Sequence, residues 1–243
     1  MSKLFSGTEG ALEINTADVA NDAITLAKMA PGTDGQIITY DASGNPSAVG
    51  PGTDGQVLTS TGAGSPPAFE AIAGGGYEFV STTTASGAAN YQATGLASGY
   101  DYKVTGYSVK VGTDGQMLRS VFGTGSTPTY QTTNYTYAID GAYGGTEAAE
   151  SHNNASNIPF TGSAPGNSTN EQGIIDITIY NPADTANYTH MLFQFLHVNT
   201  TPDPMTYQGG GFWEDNTAVT ALKIEPASGT LSGEFKLYRR ANA

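Results

Sequence analysis

Beyond Gly74-Gly75-Gly76 the sequence breaks into short runs of alternating apolar and polar residues, each closed by a glycine-rich turn. A period of two marks a strand with one buried face, so this part of the chain is expected to be antiparallel β. The runs are Tyr77 to Val80, Tyr100 to Val111, Met117 to Phe122, Thr133 to Ile139, Ile174 to Tyr180, His190 to Val198, Val219 to Ile224 and Gly233 to Tyr238. In the second run Tyr100, Tyr102 and Val104 share one parity and Tyr107, Val109 and Val111 the other, which predicts a bulge or bend at Thr105-Gly106. Ile175, Ile177 and Ile179 all fall on one face. The run His190 to Val198 is apolar in both parities, with Met191, Phe193 and Phe195 against Leu192, Leu196 and Val198. This predicts a central strand buried on both faces. The polar stretch from Asp140 to Asn170 reads as mostly loop. The 32 glycines among 243 residues weaken helices and suit tight turns. The fold class that follows is mostly β, an antiparallel, jelly-roll-like β-sandwich over residues 77–243.

The region before the triglycine has a different texture. Pro31-Gly32-Thr33-Asp34-Gly35-Gln36 recurs twenty residues later as Pro51-Gly52-Thr53-Asp54-Gly55-Gln56. Ile37-Ile38-Thr39 follows the first copy and Val57-Leu58-Thr59 the second, and each leads into another turn-rich stretch. Such a unit holds too few apolar side chains to offset a backbone entropy cost of ~1–2 kcal/mol per residue. It either remains a flexible linker or packs against copies of itself. A third Gly-Thr-Asp-Gly-Gln at 112–116 lies among the later strands and reads as a shared turn. The Asp side chains of these turns are expected to bond their own backbone rather than hold calcium. Upstream, Val19, Ala23, Leu26 and Ala30 form one stripe of a short helix over 15–30, capped by Asn15 or Thr16 and stopped by Pro31-Gly32. An extended segment docked on a partner is the other reading. Residues 1–73 are thus expected to be an extended stalk containing a short helix and turn repeats.

The chain carries 9 basic and 22 acidic side chains, a net charge of −13. That balance opposes binding to nucleic acid or to an anionic membrane surface. No apolar run approaches the ~20 residues of a membrane helix, and the first residues hold no signal-peptide core. The expectation is a soluble protein made in a cytoplasm, without membrane insertion. The absence of cysteine removes disulfides and thiolate chemistry.

Ala23-Ile24-Thr25-Leu26-Ala27-Lys28-Met29-Ala30 followed by the Pro-Gly-Thr-Asp-Gly-Gln repeats resembles the front of tailed-phage fibre-like virion proteins. The pieces Tyr77-Glu78-Phe79, Thr136-Tyr137-Ala138, Ile177 to Pro182, Ala218 to Ile224 and Ser228 to Tyr238 resemble the β-rich tip of phage tail or head fibres. The resemblance implies a homotrimer located in the virion. Residues 1–30 would attach to another virion protein, 31–73 would form a repeat neck, and 77–243 the tip. The tip would meet a host-surface glycan or decorate the capsid. Leu12, Ile14, Val19, Ile24 and Leu26 are the apolar candidates for virion attachment.

The sequence nominates no catalytic residue, metal ligand or cofactor. His190 and His197 stand seven residues apart on one strand and so face opposite ways. A glycosidase would need two carboxyls about 5–9.5 Å apart. Glu147, Glu150, Asp176, Glu214 and Asp215 are its candidates. Sugar binding asks for an aromatic face beside polar side chains. The stretch from Tyr207 to Asn216, expected to be a glycine-rich loop, has that chemistry, with Tyr207, Trp213, Asp215 and Asn216 as candidate ligand-binding residues. The rival to a fibre is a monomeric carbohydrate-binding module on a flexible linker, and a polysaccharide-cleaving spike is the enzymatic alternative.

Overall fold

The structure is a computed structural model that describes residues 19, 31–71, 76–143, 146–162 and 165–242. Among the described residues it holds strands and turns and no helix. The helix expected over 15–30 lies outside the described residues apart from Val19. The chain separates into two compact units, Met1–Ala73 and Gly74–Ala243.

The first unit contains two antiparallel hairpins. Strand β1 (Ile37–Tyr40) pairs with β2 (Pro46–Val49), and β3 (Gln56–Thr59) with β4 (Ala68–Ala71). The sequence repeat is also a structural repeat. In each copy the Gln backbone N–H donates to the Thr carbonyl, at 3.0 Å for Gln36 and 3.1 Å for Gln56. The Gln side chain then folds back and accepts the Thr backbone N–H at 2.7 Å in both copies. Gly35 and Gly55 sit at φ 77° and 83°, in the left-handed region that a side chain at this corner would resist. The side chain that closes the turn is therefore that of Gln, not the expected Asp. In the third copy Gln116 instead accepts from Ser228 Oγ at 3.0 Å. None of the described residues 31–71 is buried.

The second unit begins with β5 (Glu78–Ala88), β6 (Tyr91–Thr94), β7 (Tyr100–Val111), β8 (Leu118–Thr124) and β9 (Thr129–Tyr130). It continues with β10 (Tyr135–Tyr143), β11 (Thr146–Ala155), β12 (Ile158–Pro159) and β13 (Gly173–Tyr180). The last four are β14 (Thr189–Val198), β15 (Pro204–Trp213), β16 (Val219–Pro226) and β17 (Leu231–Ala241). One antiparallel sheet has eight strands in the order β11-β10-β15-β14-β13-β7-β17-β5. The other has the order β12-β8-β16-β6, with β9 added beside β8.

Side chains from both sheets join one hydrophobic cluster. Tyr91 stacks on Phe235 at 4.4 Å, and Phe160 meets Phe193 edge-on at 5.0 Å. The buried Tyr135 hydroxyl accepts the Phe122 backbone N–H at 2.7 Å and so ties β10 to β8. Ile175, Ile177 and Ile179 face this core as the alternation predicted.

Several expectations need correction. Residues 140–170 are not mostly loop, because β10, β11 and β12 run through them. Strand β11 ends the sheet and pairs only with β10, so it needs no apolar alternation, and its sequence shows none. The glycine-rich stretch from Tyr207 to Trp213 is strand β15, not a loop. The β7 irregularity falls at Tyr107-Ser108, two residues beyond the expected site. Ser108 has φ 52°, and both neighbouring strands shift register there. Tyr107 is exposed, while Val109 and Val111 return to the core. Strand β14 is central in its sheet, yet Leu192 and Leu196 on its second face are exposed.

Glycines set how closely these strands pack. Gly141 lies directly opposite Tyr207 in the β10–β15 register. A Cβ on Gly141 would sit 2.2 Å from the Tyr207 ring, and the ring covers the backbone in its place. The same inner surface holds His197, which is 1% exposed. Its ring lies 4.9 Å from Phe195 and 5.9 Å from Tyr207. Among the described residues neither ring nitrogen meets a hydrogen-bond partner. Burial pulls its pKa from 6.5 down to about 4, and the Val198 backbone opposes this weakly from outside hydrogen-bonding geometry.

Two outcomes follow. Gly141→Ala should destabilise the chain by about 1–3 kcal/mol through overpacking. In a double-mutant cycle read by urea unfolding, combining it with Tyr207→Ala should cost clearly less than the sum of the two, and strict additivity would contradict the contact. For His197, the unfolded chain takes up a proton between about pH 6.5 and 4 that the folded chain refuses. Stability is full above pH 6.5 and falls by about 3 kcal/mol on going below pH 4. At fixed protein concentration, the wild type should lose roughly 2 kcal/mol more than His197→Phe between pH 7 and pH 5. Parallel pH profiles would rule this out.

Candidate functional site

The outer face of the eight-stranded sheet is organised by the register. Asp140, Gln208, Gln194, Asp176 and Thr105 stand opposite one another on five successive strands, β10, β15, β14, β13 and β7. Beside this polar row runs a second, formed by Ala138, Gly210, Leu192, Thr178 and Lys103. A third contains Thr136, Phe212, His190 and Tyr180. Strand pleating turns all three rows outward while the intervening residues fill the core.

The first two rows apart from Thr105 and Gly210, with Tyr180 from the third, line a groove of about 840 Å³ that crosses from Lys103 on β7 to Ala149 and Ser151 on β11. Beside it, a Cβ on Gly210 would lie 2.6 Å from Leu192 Cδ2, so Leu192 leans across space that a side chain would otherwise fill. Leu192 remains 54% exposed. Aromatic rings gather in and beside the third row. Tyr188 stacks on Phe212 at 5.8 Å, His190 lies 5.2 Å from Phe212, and the Tyr188 carbonyl accepts from His190 Nδ1 at 2.8 Å.

The charges of the groove are mostly compensated. Lys103 Nζ lies 2.7 Å from Asp176. Glu150 accepts from Tyr137 at 2.7 Å and lies 3.1 Å from His152 Nε2. Among the described residues Asp140 is a lining carboxylate without an ion-pair partner, and Glu150 pairs only with His152, which carries charge only when protonated. The adjacent amides of Gln194 and Gln208 are exposed and make no hydrogen bond to another side chain among the described residues. The surface therefore offers hydroxyl-sized donors and acceptors beside an apolar strip, with more negative than positive charge.

Of the four residues nominated from sequence, Tyr207 and Trp213 point inward and are 2% and 5% exposed. The Trp213 indole N–H donates to the Thr133 carbonyl at 3.1 Å. Asp215 accepts the Thr217 N–H at 2.7 Å, and Thr217, through hydroxyl and backbone, holds the Asp215 carboxyl below its ordinary pKa. Asn216 is exposed. The nominated stretch does supply the groove, but through Gln208, on the opposite parity, and Gly209, with Phe212 in an outer row beside it. Strand alternation from Tyr207 onward was the signal that would have found Gln208 and Phe212. The three glycines hid it.

Of the attachment candidates Leu12, Ile14, Val19, Ile24 and Leu26, only Val19 lies among the described residues, and it is exposed. Of the carboxylates considered for catalysis, Glu150 and Asp176 share the groove and are bonded as above, Asp215 is held by Thr217, Glu214 bonds the Thr136 hydroxyl, and the Glu147 side chain lies outside the described ones. Among the described residues no group of three His, Asp or Glu side chains could hold a metal ion. Comparison with protein families, with curated proteins and with solved structures finds no match to this chain.

Proposed function

We propose that this chain is a non-enzymatic phage virion protein, a short homotrimeric fibre with an adhesive tip. Residues 1–30 hold it to another virion protein and 31–73 form the neck. Residues 77–243 form a β-sandwich tip that attaches to a host-surface glycan or decorates the capsid. The observation that carries this reading is the state of the two hairpins. They are fully paired within themselves, yet Ile38 is 60% exposed, and Tyr40, Val57 and Leu58 are also exposed. A two-stranded hairpin is marginal alone, and these bury no side chain in the single chain. Association of identical copies gives such apolar surface a partner, and closed symmetry limits the assembly. Weak contacts at the tip then gain strength from several copies per fibre and several fibres per particle. The acidic balance of the chain keeps it soluble and away from nucleic acid.

Light scattering on the intact chain tests this directly. The expected mass is three times 25.0 kDa. Combining Ile38→Asp with Leu58→Asp should give single chains whose tip keeps its thermal transition, since the exposed hairpin positions take no part in the tip core. A wild-type mass of one chain would overturn the fibre reading and favour a linker-borne module. A trimer that survives the double substitution would remove the neck as its interface.

A further inference from the structure

We propose that the groove on the outer face of the eight-stranded sheet binds an uncharged oligosaccharide lying across the strands. The inference rests on the adhesive reading of the tip and names the site and the class of ligand. Shape is the first argument. The groove is lined from β7 to β11, six adjacent strands, which at about 4.8 Å per strand is an elongated track of roughly 24 Å. That length suits a chain of linked rings better than a single small molecule.

Chemistry is the second argument. A pyranose presents hydroxyls around its rim and C–H groups on its faces. The Asp140, Gln208, Gln194, Asp176 row offers carboxylate, amide, amide and carboxylate in succession, one per strand, and so both donors and acceptors to hydroxyls. Leu192 and Tyr180 flank that row with exposed apolar surface for the C–H faces. Exposure of Leu192 on the central strand of a sheet is costly unless something covers it.

Charge selects among saccharides. The lining ammonium of Lys103 is already neutralised by Asp176, and Asp140 faces the groove without a counter-ion among the described residues. A sialylated, sulfated or phosphorylated chain would meet a carboxylate with no free cation, inside a protein of net charge −13. A basic peptide would find the carboxylates of Asp140 and Glu150 but also the ammonium of Lys103, and the two amides add nothing to its binding as a cation. Charge thus rejects anionic sugars, the two amides suit the hydroxyls of a neutral one, and hexalysine in the test below decides against the cationic ligand.

The test uses the intact chain. Neutral hexasaccharides of β-linked glucose, β-linked N-acetylglucosamine and α-linked mannose are titrated calorimetrically, beside a sialic acid hexamer, a heparin hexasaccharide and hexalysine. A printed array of neutral bacterial polysaccharides extends the panel. At least one neutral glycan should bind, and the anionic hexamers and hexalysine should not compete. The variant combining Gln194→Ala and Gln208→Ala should weaken binding about tenfold, the loss of roughly two hydrogen bonds. Thr82→Ala, on the exposed edge strand β5, should leave it unchanged. Thermal transitions of both variants should match the wild type.

Failure to bind any neutral glycan overturns the inference. So does stronger binding of an anionic hexamer or hexalysine, or binding that survives loss of both amides. Light scattering of the same samples separates the two readings. A trimer that binds no neutral glycan removes the groove and leaves the fibre. A single chain that binds one through Gln194 and Gln208 removes the fibre and leaves the groove.

Discussion

Side chains laid over glycines hold this structure together. Tyr207 covers Gly141, Phe195 covers Gly173, and Ile175 and Phe235 close over Gly106. In the first unit the ring of Phe69 lies over Gly52. Glycine within a strand is entropically unfavourable by roughly 0.5–1 kcal/mol relative to alanine. Here the missing side chain is the space into which a neighbour packs, so the cost is offset by burial of a large apolar surface. The abundance of glycine is thus a packing requirement as well as a supply of turns. The same device continues onto the outer face, where Leu192 leans over Gly210.

The fold was legible where burial is one-sided. Ile175, Ile177 and Ile179 announced β13 because only one face of that strand meets the core. It was illegible where the pattern-forming residues are absent. Gly209-Gly210-Gly211 in the middle of β15 erases the alternation, so a strand was read as a loop. In β11 both faces are polar because the strand ends the sheet, and the sequence from Glu150 to Asn154 gives no period at all. The bulge at Ser108 was anticipated in kind but displaced, since parity alone marks that a slip occurs without fixing which residue absorbs it.

The site shows the limit more sharply. Tryptophan and tyrosine on a glycine-rich segment were the natural ligand-binding candidates, yet Tyr207 and Trp213 are core residues. Once the segment is a strand, the choice between its two faces follows from which residues the core can accept. A large ring goes inward, and Gln208 is left outside to meet solvent or a ligand. Leu192 illustrates the converse. Its apolar character argued for burial, and only the absence of a layer above the sheet within the described residues makes its exposure informative. A chemically apt residue list therefore has to be sorted by parity before it becomes a surface.

The Thr–Gln clasp carries a consequence for how such a chain can change over generations. Each twenty-residue copy closes its own turn, through Gln36 on Thr33 and Gln56 on Thr53, without borrowing a group from the other copy's clasp. A segment that is complete in this sense can be duplicated or deleted by unequal recombination and still fold locally. The length of the repeat segment thereby becomes a heritable quantity that varies in discrete steps, independently of the sequence of the second unit.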